Sequence, residues 1–292
     1  SSAASDVYKR QQCNNVRYGC GSGVRQACGM ERAVRMRIIK GMLAAFMTFS
    51  RIPVVGVRID KEDMKYSMCF LPVIGIIIGL IQWLADAAFT WLGAGELMRV
   101  ALMTAVPVLV TGGIHMDGFC DTTDAVSSYQ TKERKLEILK DSNAGAFAVI
   151  YGVLWFVLYA GALSEIHTLV GIFACTYVIS RAMAAMSVVN FRAARQDGMG
   201  AGEQKSSSKN VTSAVMIIWL LLSVGVMANI SLPCAVAVIA AAVTVFFVYS
   251  FCICEQFGGF TGDLAGWYVQ VSELVMALVI AVAELLMKKG CI

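Results

Sequence analysis

Long apolar runs alternate with short polar segments along most of the chain. The runs approach or exceed about 20 residues, the length at which a helix crosses the hydrocarbon core of a bilayer. Backbone polar groups inside lipid must be satisfied internally, so such runs form helices. We therefore predict an all-α fold, a polytopic integral membrane helix bundle with about seven transmembrane helices. The predicted spans are residues 66–92, 97–112, 145–163, 167–189, 211–228, 234–252 and 264–287.

The chain before the first span divides into two parts. Residues 1–30 start with a polar stretch and hold no apolar signal-peptide region, so we expect a disordered, non-native leader. The natural start would then lie near Met30 or Met36. Residues 41–50 are apolar but too short to span, which predicts an N-terminal half-helix or interfacial helix. Residues 31–292 then form a single transmembrane domain.

The positions of Lys and Arg orient the predicted bundle. Most of them lie in residues 31–65, 114–144 and 191–210, and alternation of the spans puts these segments on one side. The positive-inside rule makes that side cytoplasmic, so the acidic motifs face the cytoplasm. The predicted cytoplasmic loops are residues 51–65, 114–144, 191–210 and 253–264.

Composition agrees with a membrane protein and argues against a soluble domain, a nucleic-acid-binding protein and a zinc or disulfide framework. Hydrophobic residues make up 58% of the chain and charged residues 15%, whereas a soluble domain carries roughly a quarter charged residues. The net charge of +4 suits an anionic lipid surface or substrate better than nucleic acid. The ten cysteines show no zinc or disulfide spacing, so we interpret them as small buried residues in a reducing compartment.

The most distinctive polar segment, residues 112–124, directly follows an apolar run. It reads Gly-Gly-Ile-His-Met-Asp-Gly-Phe-Cys-Asp-Thr-Thr-Asp. Asp117, Asp121 and Asp124 are spaced i, i+4, i+7, so a helix would carry all three carboxylates on one face. Carboxylates this close need a cation between them, and hard oxygen donors suit Mg²⁺, with Mn²⁺ as the alternative.

The competing interpretation of this segment is a solvated helix end. No Lys or Arg occurs between residues 100 and 131 to neutralise the aspartates, which favours the metal site. A metal at the edge of a bilayer indicates metal-assisted chemistry on a phosphorylated substrate. His115 would then act as a general base or contact the substrate; the alternative is a structural hydrogen bond.

Four further residues lie at the ends of predicted spans, where two roles are open to each of them. Lys140, Asp141 and Ser142 precede a span and either cap that helix or form an anion site with its free N–H groups. Arg51 either anchors its segment at the membrane interface or binds a phosphate. All four are therefore candidates for substrate binding.

A glycine-rich turn, residues 258–263, leads into the last predicted span. Gly259 and Gly262 would allow the backbone to approach a ligand closely. Asp263, at the end of the turn, would complete the metal shell.

Two charged residues, Arg181 and Glu273, lie well inside predicted spans, where charges are costly. In one interpretation they pair with each other and have a structural role. In the other, Arg181 binds a phosphate of the substrate.

Together these motifs resemble the adenosylcobinamide-GDP ribazoletransferase family, the cobalamin synthases that join the two halves of the vitamin B12 nucleotide loop. The resemblance covers about residues 37–285, and its motifs are specific as a set. The departures are mild, with Asn143 where the family often has Arg and Ala125 where Gly is usual. The matching segments are residues 49–53, 112–118, 121–124, 136–142, 180–181, 259–263 and 272–274.

The resemblance implies an enzyme of late cobalamin biosynthesis in a prokaryotic cytoplasmic (inner) membrane, with its active site facing the cytoplasm. It implies Mg²⁺-dependent transfer of adenosylcobinamide phosphate from adenosylcobinamide-GDP to α-ribazole or α-ribazole 5′-phosphate. The products would be adenosylcobalamin or its 5′-phosphate, together with GMP. The expected partners are these substrates and the lipid bilayer, not nucleic acid. A homo-oligomer and complexes with other cobalamin-pathway enzymes stay open.

The resemblance also assigns roles to individual residues. His115 would deprotonate the ribazole hydroxyl, and Asp263 is the alternative base. The expected metal ligands are Asp117, Asp121, Asp124 and Asp263. The expected catalytic residues are His115, Asp117, Asp121 and Asp263. The expected substrate-binding residues are Arg51, Lys140, Asp141, Ser142, Arg181, Gly259 and Gly262.

Two other classes of protein share some of these features. CDP-alcohol phosphatidyltransferases and prenyltransferases also carry aspartate-rich metal sites on membrane helices. The former usually show Asp-Gly followed by Ala-Arg and two aspartates at wider spacing, a pattern that is absent here. A transporter would distribute Arg181, Glu273 and the aspartates along a pathway through the membrane. Most of the charges cluster at one face, which favours an enzyme.

Overall fold

A computed structural model describes residues 36–54, 56–60, 62–141 and 143–291 of the protein. The predicted leader, residues 1–30, lies outside the described residues, as does the predicted substrate-binding residue Ser142. The described residues form helices joined by turns, and their one β-type pairing is a bridge between Ala193 and Phe260. The predicted all-α fold class is confirmed.

The helices are numbered here in chain order. A 3-10 helix, Asp63–Phe70, leads into α2, and a π-helical stretch, Tyr249–Ile253, joins α10 to α11. The α-helices are α1 (residues 36–49), α2 (Leu71–Leu92), α3 (Glu96–Thr111), α4 (Ile114–Ser127), α5 (Lys132–Ile138), α6 (Ala146–Leu163), α7 (Val170–Asn190), α8 (Met199–Ser206), α9 (Lys209–Ile230), α10 (Leu232–Val248), α11 (Cys254–Phe257) and α12 (Gly262–Lys288).

The described part of the chain has six helices long and apolar enough to cross a membrane. α3 and α4 make a seventh span if they are counted together across a 92° bend. The outer faces of the spans are apolar: Val149, Val153 and Val157 of α6, for example, are 59%, 59% and 62% exposed. Such a surface is unfavourable in water and suits lipid. The predicted bundle of about seven transmembrane helices is therefore confirmed.

Three segments that were predicted as cytoplasmic loops contain helices. Residues 114–144 hold α4 and α5, residues 191–210 hold α8, and residues 253–264 hold α11 and the start of α12. These helices agree with the helix expected for the aspartates, and the assignment of the three segments to the cytoplasmic side stays a prediction. A polar helix is stable when one face is buried, and α4 buries His115 and Phe119 on such a face.

α7 occupies the centre of the bundle. Most of its side chains are buried, and it packs against α2, α9 and α12. Gly75 and Gly79 bring the α2 backbone onto α7. A Cβ added to Gly75 would overlap the carbonyl oxygen of Tyr177, and one added to Gly79 would lie 2.6 Å from that of Ala174. Small residues one turn apart commonly permit this close approach in membrane helices.

The close α2–α7 contact predicts how one methyl group, added at Gly75, changes the stability of the protein. Gly75→Ala should destabilise the protein by about 1–3 kcal/mol, because the α7 backbone has to move away. Gly161→Ala on α6 is the matched control, since nothing lies within 4 Å of its added Cβ. The control should unfold at or above the wild-type temperature, because Ala favours the helix. Equal thermal unfolding temperatures for the two variants in detergent would contradict the close packing.

Candidate functional site

The aspartate segment begins at the bend between α3 and α4. Gly112 and Gly113 have φ values of +67° and +81°, which glycine adopts at little cost. The two residues turn the chain through 92°, so α4 runs across the end of α3. Arg51 lies over this bend, where a Cβ added to Gly112 would be 2.5 Å from its Cγ. The structure thus confirms a helix for the aspartates and places Arg51 beside the bend that precedes it.

α4 packs tightly against the first turns of α12. A Cβ added to Gly118 would lie 2.7 Å from the carbonyl oxygen of Asp263, and one added to Gly266 would lie 3.1 Å from that of His115. The facing glycines therefore let the two backbones approach to contact. This contact brings Asp263 to the aspartates of α4, although it lies far from them in the sequence.

The turn before α12 is held by the chain that follows α7. The N–H of Ala194 donates to the carbonyl of Phe260, and the N–H of Phe260 donates to the carbonyl of Arg192, each at 2.9 Å. Gly259, with φ +150°, is required here because a Cβ would overlap the Arg192 carbonyl. Gly259 is thus needed for the close approach of two backbones, and its predicted approach to a substrate stays a prediction.

The same backbone pairing places Arg195 beside the start of α12. Its Nη2 donates to Oδ2 of Asp263 at 3.4 Å. The Oγ1 of Thr261 accepts the N–H of Leu264 at 3.2 Å and caps the helix, which puts Asp263 in the first turn. A carboxylate is favourable there because it faces the positive end of the helix dipole.

These elements surround a cavity of about 260 Å³. One part of its wall is polar and the other part is apolar. The polar part contains His115, Asp117, Arg195, Glu203, Gly262 and Asp263. The apolar part includes Phe49, Met68, Leu71, Ala184, Val188 and Val269. Such a wall suits a ligand that has both a polar and an apolar part.

Two polar side chains of the cavity are almost fully buried. His115 is 7% exposed, and its Nε2 makes no hydrogen bond within the described residues. Glu203 is 2% exposed, and its Oε2 accepts a hydrogen bond from Ser67 Oγ at 2.8 Å. Burial raises the pKa of the Glu203 carboxyl above its ordinary value.

The sequence analysis missed Glu203 and Arg195 as site residues. Both come from residues 191–210, which were interpreted only as a basic, polar loop. The charged composition of that segment was the available signal. It could not show which of the charged side chains point inward.

The three aspartates of α4 do not have the same environment. Asp121 is partly buried, and the charges of Asp117, Asp263 and Asp124 all act on it. Asp124 instead caps α6. Its Oδ2 accepts the N–H of Gly145 at 2.6 Å and its Oδ1 accepts that of Ala148 at 2.9 Å. The i, i+7 spacing correctly put Asp124 near the other two, but its carboxylate supports the adjoining helix.

The donor chemistry of the site suits a hard divalent cation. The carboxylates of Asp117, Asp121 and Asp263 supply oxygen only, as Mg²⁺ prefers. Within the described ranges, no three His, Cys, Asp or Glu side chains are arranged to enclose a metal ion on their own. Mg²⁺ commonly binds through one or two carboxylates and completes its shell with water and substrate phosphates. The residues present fit that mode better than a closed protein cage.

Comparison with known families decides the class of the protein. The model of the family described as cobalamin-5-phosphate synthase matches residues 41–281. The chain belongs to this family. It is therefore an enzyme, a membrane-embedded transferase of cobalamin biosynthesis, and the resemblance seen in its motifs is confirmed.

Three curated relatives carry the name adenosylcobinamide-GDP ribazoletransferase. The one from Lachnoclostridium phytofermentans is 39% identical over 250 residues, which is 85% of this chain and 96% of the relative. The one from Clostridium botulinum strain Alaska E43 is 31% identical, over 82% of this chain and 95% of its own. The one from Alkaliphilus oremlandii is 32% identical, over 82% of this chain and 96% of the relative. No solved structure matches the chain.

Two of the expected anion-binding residues lie outside the cavity. Lys140 is exposed and pairs through Nζ with Oδ2 of Asp197 at 3.2 Å. Asp141 accepts hydrogen bonds from the backbone N–H and the side-chain amide of Asn143, which lower the pKa of its carboxyl. The alternative interpretation, a cap on the next helix, is wrong for Asp141, because Gly145 is the N-cap of α6 and Asp124 accepts the N–H groups at its start.

The two charges that were predicted to lie well inside spans form an ion pair. Arg181 Nη1 contacts Glu273 Oε1, and both side chains are buried. Ser180 Oγ donates to the same Glu273 oxygen at 2.8 Å and receives a hydrogen bond from Arg181 Nη1 at 2.9 Å. Arg181 does not line the cavity. Its expected role in binding a phosphate is therefore corrected to a structural one between α7 and α12.

Removal of one member of this pair should destabilise the enzyme strongly. Arg181→Met leaves the Glu273 carboxylate buried without its partner, which costs about 3–5 kcal/mol. The double variant Arg181→Met/Glu273→Gln has no buried charge and should recover most of that loss. Chemical unfolding measures both effects. A folded double variant should also keep its turnover. Loss of turnover would instead indicate that Arg181 binds substrate.

Proposed function

We propose that the enzyme transfers adenosylcobinamide phosphate from adenosylcobinamide-GDP to α-ribazole or α-ribazole 5′-phosphate in a Mg²⁺-dependent reaction. The products are adenosylcobalamin or its 5′-phosphate, and GMP. The observation that carries this proposal is the meeting of Asp117 and Asp263 with Arg195 at one cavity. Asp121 lies behind them, close enough for the charges of Asp117 and Asp263 to act on its carboxyl. The names of the relatives support the choice of donor substrate.

The reaction exchanges one phosphorus–oxygen bond for another. A hydroxyl oxygen of the ribazole bonds to the phosphorus attached to cobinamide. The bond from that phosphorus to the oxygen shared with GMP breaks, and GMP leaves with the electron pair. The hydroxyl proton passes to a base. The enzyme must therefore hold two substrates in line, receive one proton and offset negative charge on the phosphates.

We assign the metal to Asp117, Asp121 and Asp263. When bound, Mg²⁺ supplies charge neutralisation at the diphosphate oxygens. Asp124 contributes by fixing the joint between α4 and α6, because both of its oxygens already receive N–H groups from α6. This differs from the expected four-carboxylate set, in which Asp124 was a direct ligand.

We assign proton removal to His115. Its Nε2 has no partner among the described residues, and the side chain lines the same cavity as Asp117 and Asp263. An imidazole nitrogen without a hydrogen bond can accept the proton of a ribazole hydroxyl. The apolar wall of the cavity keeps water away from that hydroxyl, which disfavours hydrolysis of the donor.

We place the cavity on the cytoplasmic side of the membrane. Its polar residues come from α4, from residues 191–210 and from the start of α12. These segments, or the segments next to them, carry most of the Lys and Arg, and the positive-inside rule places such segments in the cytoplasm.

A turnover assay with the purified enzyme in nanodiscs tests the proposal. Adenosylcobinamide-GDP is supplied with α-ribazole or α-ribazole 5′-phosphate, with Mg²⁺ or with a chelator, and the products are followed by mass spectrometry. Cobalamin or its 5′-phosphate should appear together with equal amounts of GMP, and only with Mg²⁺. A folded wild-type enzyme that forms neither product would overturn the proposed reaction, and full turnover with the chelator would overturn its metal dependence.

Substitution of one carboxylate tests the site within the same assay. Asp121→Asn should lower kcat at least about 100-fold, because it removes a charged metal ligand worth several kcal/mol in the transition state. Asp197→Asn is the matched control, since Asp197 is exposed and pairs with Lys140 outside the cavity. It should retain wild-type turnover. Wild-type kcat in Asp121→Asn would contradict the assignment.

A further inference from the structure

Arg195 stands out at the cavity because part of its guanidinium has no partner. Its Nη1 atom is buried and makes no hydrogen bond to any described residue. Its Nη2 reaches Oδ2 of Asp263 only at 3.4 Å, which is long for a charge-assisted hydrogen bond. A buried N–H group without an acceptor is costly, so a ligand that supplies acceptors would bind favourably there.

The fold fixes the direction of this side chain. The backbone pairing of residues 192–194 with Phe260 holds the chain just before Arg195 against the start of α12. Gly198, with φ +105°, leaves room for the guanidinium to lie on the backbone, since a Cβ there would be 3.1 Å from Nε. The guanidinium is therefore positioned before any ligand arrives.

Arg195 is also the cation that lines the cavity among the described residues. The other candidates are engaged elsewhere. Lys140 pairs with an exposed carboxylate, and Arg181 pairs with a buried one. Arg51 lies over Gly112 outside the lining.

We propose that Arg195 binds the diphosphate of the nucleotide-activated substrate, with Nη1 donating to a phosphate oxygen. The inference rests on the proposed function, because that reaction brings a diphosphate beside Asp117 and Asp263. The planar guanidinium donates to two oxygens at once, a geometry that an ammonium group cannot reproduce. It also offsets the negative charge that develops on the GMP oxygen as its bond to phosphorus breaks. Asp263 keeps the guanidinium oriented from the opposite side.

The test compares Arg195→Gln and Arg195→Lys with the wild-type enzyme. Arg192→Gln is the matched control, because Arg192 lies three positions earlier, is exposed and does not line this cavity. Calorimetry gives the Kd for adenosylcobinamide-GDP without acceptor, and steady-state assays give kcat and KM for both substrates. Arg195→Gln should weaken binding and lower kcat/KM for adenosylcobinamide-GDP about 100-fold in total, and Arg195→Lys about tenfold. The KM for unphosphorylated α-ribazole should not change, and the control should match wild type.

If Kd and kcat/KM of Arg195→Gln equal those of the wild-type enzyme, the proposed role of Arg195 is wrong. The proposed reaction is unaffected by that result as long as the wild-type enzyme turns over. A wild-type enzyme that neither binds nor converts adenosylcobinamide-GDP would remove the proposed function and this inference with it. A merely structural Arg195 would lower the unfolding temperature and shift the constants for both substrates together, which also contradicts the proposal. If Arg195→Gln does not fold, Arg195→Lys decides, and wild-type binding in that variant would overturn the inference.

Discussion

The close approach of α4 to the start of α12 is the contact on which the candidate active site depends. Gly118 and Gly266 face the opposite backbones, and neither position has room for a side chain without displacement. In a bilayer, packing of this kind replaces the hydrophobic effect as the force between helices. The contact also carries chemistry, because it sets Asp263 beside Asp117 and Asp121. A site composed of two distant segments exists only while these backbones stay in contact.

Charge in this protein is divided between two environments. In the core, Arg181 and Glu273 neutralise each other, and Ser180 satisfies part of the pair. At the cavity, the carboxylates outnumber the cations, so the site holds an excess of negative charge. Under the proposed function, that excess is what would attract a divalent cation, whereas a fully paired cluster would not. The paired charges lie in the core, and the unpaired excess lies at the cavity to which we assign substrate binding.

Much of the fold follows from the sequence because a bilayer leaves few choices for an apolar run of sufficient length. The helical spacing of Asp117 and Asp121 likewise predicted their common face. Asp124 was assigned less well, because a carboxylate at the right spacing can also cap a neighbouring helix, and only the tertiary contact with α6 decides between the two roles. For Lys140 likewise, the sequence could not show that its ammonium group pairs with the exposed carboxylate of Asp197 outside the cavity.

Arg195 and Glu203 were beyond sequence reasoning of this kind. Their segment is one of several polar stretches with many charged residues. The position of Arg195 depends on two backbone hydrogen bonds between residues 192–194 and Phe260. Glu203 is set by the packing of α8 and by a hydrogen bond from Ser67, far away in the chain. Neither arrangement leaves a periodic pattern in the sequence.

The measurement that tests the central claim most directly is the kcat of Gly118→Ala in nanodiscs. The added Cβ has to displace the Asp263 backbone, so the account predicts a loss of kcat of roughly 100-fold, of the size that small misplacements of reacting groups cause. The helices themselves should remain folded. Gly152→Ala on α6 is the matched control, because its Cβ would meet only the sulfur of Cys120, at 3.8 Å. Wild-type kcat in a folded Gly118→Ala enzyme would contradict the dependence of the active site on the α4–α12 contact.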